Sequence, residues 1–212
     1  SLMLFLPAIF WIWFQTGTLD FKSGGILEGK FPTEYLSFLV ALLVFGIGKA
    51  AIMPIHRWLP AAMVAPTPVS ALLHAVAVVK AGVFSFLVVV VYIIGPEYLF
   101  ESKASDWLIW LASFTILASS IIAISKDDLK ARLAYSTISQ LSYIILGAAL
   151  ATTFAIKGAS FHIITHAIGK ITLFFCAGAI YVTAHVKKIS QLNGLGYKTP
   201  LIFFAYTLGA LS

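Results

Sequence analysis

The sequence predicts an all-α, polytopic transmembrane helical bundle in which one helix is discontinuous. Three observations carry that prediction. Of the 212 residues, 60% are hydrophobic and 10% charged, whereas a soluble domain carries about a quarter charged residues. Apolar runs recur that outlast the roughly 10–14 residues of a buried soluble helix. Prolines crowd one stretch, at Pro54, Pro60, Pro66 and Pro68, where a plain helix cannot continue. Backbone in a bilayer must satisfy its own polar groups, so only helices and closed barrels span it. The runs are too long for barrel strands of about ten alternating residues.

The elements follow in order. Residues 1–16 form a partial span; they lack a charged leader and a small-residue cleavage site, so they do not read as a signal peptide. The loop 17–33 is rich in glycine and charge. Residues 34–53 are a span that stops at Pro54. The segment 55–66, IHRWLPAAMVAP, is its broken continuation, a short half-helix or an interfacial piece. Spans follow at 67–94, 107–124, 134–151 and 156–184, and the chain enters another at 199–212, too short to cross. Both ends are expected to lie inside membrane segments, so residues 1–212 read as the central fragment of one transmembrane domain. A helix over 67–94 would reach about 42 Å at about 1.5 Å per residue, against about 30 Å of hydrocarbon. Tilt, kinks or projection must absorb the difference. In 156–184, Gly158, Gly169 and Gly178 are candidates for a local break or for close helix packing.

Composition also excludes classes. The net charge is +6, but the basic residues are dispersed between apolar runs, so no nucleic acid is expected as a partner. Cys176 is the only cysteine, which rules out a disulfide within the chain and leaves no metal or haem spacing. No cofactor and no redox chemistry are expected in this chain. Trp58, Trp107 and Trp110 lie near predicted boundaries, as belt residues do.

Alternating spans put Lys22, Lys30, Lys103 and Lys157 on one side with most of the acids. Arg57, Lys126, Lys130, Arg132, Lys187, Lys188 and Lys198 fall on the other. The basic excess predicts that the second side is cytoplasmic. The eight acidic residues, Asp20, Glu28, Glu34, Glu97, Glu101, Asp106, Asp127 and Asp128, all fall in loops or at span ends. Lys49, Lys80, Lys170, His74, His162 and His166 do the opposite and lie within apolar runs. The deep ionisable set is therefore wholly basic.

Deep charges are expensive and mark ion or proton pathways. Each has a bland reading as well. Lys49 is close enough to the Pro54 break to snorkel, and a neutral histidine can be a hydrogen-bonded core group. The spacing favours function. His162, His166 and Lys170 stand at i, i+4 and i+8, on one helix face, over about 12 Å. His74 and Lys80 are six apart and point about 120° from one another. Histidine titrates near neutrality, and a buried lysine can release its proton reversibly. Bases alternating with hydroxyls such as those of Ser136 and Thr165 suit a proton relay. A break at mid-membrane brings helix ends to the same depth.

Three stretches carry a resemblance: GKAAIMPIHRWLPAAMVAPTPVSALLHA, DDLKARLAYSTISQLSYI and FHIITHAIGKITLFFCAGAI. In this order they closely resemble the antiporter-like subunits of respiratory complex I and of multisubunit cation/proton antiporters, a family shared by membrane-bound hydrogenases. The resemblance covers essentially the whole chain. It implies a core of two inverted helical repeats with discontinuous helices. It implies that Lys49 is the lysine before the first break, paired with a glutamate on a helix upstream of Ser1. His74, Lys80 and Lys130 match relay groups, and His162, His166 and Lys170 match the central histidine and lysine cluster. A terminal relay residue is expected beyond Ser212. The function so implied is proton translocation in a complex I-type oxidoreductase, with other membrane subunits as partners. Any NADH:quinone chemistry would belong to the whole complex. Na⁺(K⁺)/H⁺ exchange in a multisubunit antiporter is the alternative, and a structural scaffold subunit the lesser one. The expected location is a bacterial or archaeal inner membrane.

Overall fold

In a computed structural model, residues 2–73 and 77–211 are described; His74 lies outside them. Helix α1 (Leu2–Thr16) packs on α2 (Thr33–Ile47). The proline-rich break follows, with α3 (Trp58–Ala61), a 3₁₀ turn (Ala62–Val64) and α4 (Thr67–Ala71). Helix α5 (Val78–Val89) continues through a π turn (Val90–Ile94) into α6 (Pro96–Ser102), which turns away by 86°. Three long helices form the body: α7 (Asp106–Ser125), α8 (Leu129–Ala149) and α9 (Thr153–Ala184). A 3₁₀ turn (Ile189–Gln191), α10 (Leu195–Lys198) and α11 (Pro200–Leu211) complete the order. The described residues contain no strand, in accord with the all-α class. By length and composition α7 and α9 can each cross a membrane, and the bent α5–α6 pair makes a third if it is one span; α1, α2 and α11 are shorter apolar helices.

Local chemistry sets the ends. Glu34 stands in the first turn of α2, and Gly48 closes that helix at φ 59° with its N–H on the Val44 carbonyl. A left-handed residue there favours glycine. Asp128 caps α8 by accepting from Ala131 N at 2.8 Å. That cap explains why α8 begins at Leu129 and not near residue 134: it draws Lys130 and Arg132 into the helix. Thr152 caps α9 in the same way, accepting from Ala155 N at 3.3 Å.

Within the expected run 67–94 the described residues form α4 and α5 with its π turn, on either side of residues 74–76. The run 156–184 resolves differently. Helix α9 is uninterrupted for 32 residues, about 48 Å, and Gly169 does not break it. Gly178 instead allows close approach, because a Cβ there would come 2.8 Å from Thr67 Cγ2 on α4. Packing between membrane helices rests on such small-residue contacts.

Leu36, Leu39, Leu43, Phe86, Ile138 and Leu141 are fully buried in the main core, and a second cluster forms around Phe174 with Leu133 and Leu173. Between α7 and α8 the hydroxyls are satisfied within the helices. Thr115 donates to the Leu111 carbonyl at 2.8 Å and Thr137 to that of Leu133 at 2.8 Å. Ser120 and Ser139 meet across the interface at 2.9 Å.

The loops gather at the two ends of α8. At one end Ile26 N donates to the Ile93 carbonyl at 2.8 Å, and Ser105 Oγ to that of Ala149 at 2.7 Å. At the other, Ser190 donates to the Asp127 carboxylate through its N–H and its hydroxyl, both at 2.9 Å. Those two bonds hold the Asp127 carboxyl below its ordinary pKa, with Lys188 and Arg132 adding to the effect.

Candidate functional site

The deep bases of α9 meet α5 and α8 at the centre of the body. Lys80, in the first turn of α5, is 6% exposed, His166 6% and Lys170 4%. The Lys80 Nζ is in hydrogen-bond contact with His166 Nδ1. One turn along α9, Lys170 Nζ donates to Ser136 Oγ of α8 at 2.6 Å. One turn the other way, the His162 ring stacks on His166, with centroids 5.7 Å apart and planes 13° apart. Tyr143 of α8 meets His162 edge-on at 6.3 Å. Lys80, His166 and His162 are thus in direct contact, and Lys170 stands one turn along α9 from His166 on the Ser136 hydroxyl. Of the i, i+4, i+8 line expected on α9, the two histidines stack and Lys170 turns to Ser136.

The contact between Lys80 and His166 has two chemical forms. An ammonium donates to a neutral imidazole whose proton is on Nε2; an amine accepts from Nδ1–H. Moving the proton from the ammonium to Nδ1 gives an amine and an imidazolium, and loss of the other ring proton from Nε2 then completes a change of tautomer. The Nε2 atoms of His162 and His166 are buried and have no hydrogen-bond partner among the described residues. A buried polar atom in that state costs about 1–3 kcal/mol, so each is open to a water, as acceptor when bare and as donor when it carries the ring proton.

A cavity of about 250 Å³ opens beside the group. It runs between α8, α9 and α11, from Arg132 past Ser136 to Gln140, with His162, Lys170 and Tyr206 on its walls. At roughly 30 Å³ per water it has room for several. The sequence reading did not single out Arg132, Gln140 or Tyr206 as members of a site. Arg132 read as loop charge, and Tyr206 sits on a helix that makes its contact only through the fold.

The other predicted residues stand apart. Lys49 follows the Gly48 cap and is exposed, on the wall of a separate cavity of about 370 Å³ with Phe45 and Trp58. Its backbone, however, abuts α5: a Cβ on Gly82 would come 2.7 Å from Lys49 C and Ala50 N. Gly82 is two residues from Lys80, so the break after α2 presses on the helix that carries the Lys80 end of the group. Lys130 Nζ donates to the Ala65 carbonyl at 3.0 Å. Ser70 Oγ donates to the same carbonyl at 2.9 Å. Lys130 thus fastens α8 to the break and lies outside the cavity of the central group. His74 falls among the residues not described.

The whole chain, residues 1–212, matches the family model described as NADH:quinone oxidoreductase/Mrp antiporter, TM. The chloroplastic NAD(P)H-quinone oxidoreductase subunit 5 of Phaseolus vulgaris is 33% identical over 228 residues, which cover 100% of this chain and 29% of that protein. Among solved structures, the membrane-bound sulfane sulfur reductase, an archaeal respiratory membrane complex, contains a chain that superposes with a TM-score of 0.83 at 28% identity, covering 99% of this chain and 43% of that one. A chain of the Mrp complex from Dietzia sp. superposes with a TM-score of 0.74 at 34% identity, covering 85% of this chain and 20% of that one. The chain therefore spans less than half the length of these relatives.

Proposed function

Because the chain belongs to the NADH:quinone oxidoreductase/Mrp antiporter transmembrane family, we propose that it conducts protons across an energy-transducing membrane as part of an antiporter-like subunit of a complex I-type oxidoreductase. The carrying observation is the connected group of Lys80, His166 and Lys170, buried and joined across three helices beside a cavity. A proton reaching Lys170 or His162 through the cavity is one helical turn, about 6 Å, from His166. The His166 tautomer change then passes it to Lys80. Burial without a carboxylate disfavours holding several of these charges at once. Arrival of one proton therefore promotes departure of another, which gives the relay its direction when a neighbouring charge changes.

Lys49 is the natural site for that neighbouring charge. It is exposed within the described residues, so its partner acid would come from another segment or subunit. Its approach or retreat would act on α5 through the contact at Gly82. Lys130 would steady the break, and His74 would extend the relay. Other membrane subunits supply the driving reaction. The Asp127 and Lys187 side faces the cytoplasm in this reading, in a bacterial or archaeal inner membrane.

The test is proton uptake by proteoliposomes containing the full assembled complex. A Lys170→Ala change should remove at least about nine-tenths of the flux, equivalent to one decade or about 1.4 kcal/mol in a barrier, without loss of assembly. Unchanged flux would overturn the role. The likeness to a chain of the Mrp complex supports a second reading, cation/proton exchange in a multisubunit antiporter. Proton flux driven by a Na⁺ gradient without any electron donor would decide for it.

A further inference from the structure

The slot beside the central group has an outer end, and the residue there is not a relay group. Arg132 lies in the first turn of α8. Its Nε donates to the Lys126 carbonyl at 3.1 Å, and its Nη2 to that of Ile124 at 3.0 Å. Both carbonyls belong to the end of α7, where unpaired acceptors and negative partial charge favour a cation. The guanidinium is thereby fixed against the end of α7. From Arg132 to Gln140 the slot follows α8 for about 12 Å, and Lys170, His166 and His162 face it from α9. No carboxylate lines it among the described residues. Its side-chain oxygens are those of Ser136, already bound by Lys170, and of Gln140 and Tyr206.

We infer that Arg132 is the cation barrier of this slot, keeping Na⁺ and K⁺ out of the path to Lys170 while protons pass. The inference rests on the slot being the proton path proposed above. A fixed positive charge at a pore mouth penalises every cation that dwells there. What separates the ions is the compensation beyond it. A proton ends on an amine or imidazole nitrogen and gains an N–H bond. A hard metal cation seeks several oxygen ligands; here it must shed water and meets basic nitrogens instead. Arg132 makes the first step unfavourable, and the lysine and histidines give repayment to the proton alone.

The experiment uses the full assembled complex in proteoliposomes, with proton uptake recorded as Na⁺ replaces choline up to about 150 mM at constant ionic strength. Wild-type flux should be indifferent to Na⁺. In Arg132→Gln, Na⁺ should lower the flux at least about threefold by dwelling at the slot's mouth, near the Lys126 and Ile124 carbonyls that Arg132 leaves free, a change near 0.6 kcal/mol. Arg132→Lys, which keeps the charge, should restore indifference. Arg132→His gives both states in one folded protein, since an imidazole titrates near pH 6.5: Na⁺ should inhibit it above pH 7.5 and not below pH 5.5, with the wild type as control at each pH. Na⁺ indifference in Arg132→Gln, or the same Na⁺ sensitivity of Arg132→His at both pH values, overturns the barrier while Lys170→Ala still abolishes flux. Intact flux in Lys170→Ala overturns the path itself and the barrier with it.

Discussion

Lys170 and Lys130 are both lysines on long helices, and their surroundings differ in kind. Lys170 is almost wholly buried, and its ammonium meets a hydroxyl that can both donate and accept. Lys130 is half-buried at a helix start, and its ammonium is bound to a backbone carbonyl, which only accepts. A hydroxyl can pass a proton on; a carbonyl holds it. In the proposed relay, that difference suits the α5–α8–α9 centre to transfer and Lys130 to fastening the break. Lys49 belongs with the break by position but touches the centre through the backbone at Gly82.

The comparison can be broken by substitutions on each side of it. The largest effect is expected at the centre, where Lys170→Ala should cut proton uptake at least about tenfold. Lys80→Met and His166→Ala should each lower it comparably, and the double variant should be little worse than either, because groups acting as a unit are not additive. Additive losses in the measured fluxes would separate the two residues. Next comes the joint between the regions. Gly82→Val forces side-chain atoms against the backbone of Lys49 and Ala50 and should cost about 1–3 kcal/mol, seen as a lower melting temperature of the purified complex. Lys130→Met should keep more than about half of the flux while costing about 1 kcal/mol of stability through the lost bond to Ala65. A tenfold flux loss there would place Lys130 with Lys170.

The smallest effect lies at the loops. The Asp127 carboxyl is held below its ordinary value, so the folded state binds its proton less readily than the unfolded state. Its contribution is present above the ordinary carboxylate pKa and fades as pH falls through the depressed value. Hydrogen exchange at the Ser190 amide should therefore show extra opening as pH drops below about 4. Asp127→Asn should remove that step, and persistence of the step would assign it to another acid.

Much of this was legible in the sequence because membrane helices advertise themselves. Length and apolarity placed α7 and α9, prolines placed the break, and four-residue spacing placed His162, His166 and Lys170 on one face. What the sequence hid depends on contacts between distant segments. Lys80 meets His166 only because α5 and α9 pack together, and no periodicity within either helix reports that. The start of α8 turned on one cap by Asp128, whose signal competes with a charged loop composition. Gly169 looked like a hinge because glycine serves both bending and close packing, and only the neighbouring helices decide between them. Lys49 read as a deep charge from its apolar flanks; among the described residues its side chain is exposed on the wall of a separate cavity, while Ala50, Ala51 and Ile52 beside it are buried.

Helix α9 carries a last consequence. It runs unbroken through His162, His166 and Lys170, so the separations of these residues along its axis are as fixed as the graduations on a ruler. Backbone rearrangement cannot shorten those intervals. In the proposed relay, regulation along them falls to ring flips, lysine swings and the number of waters between the marks.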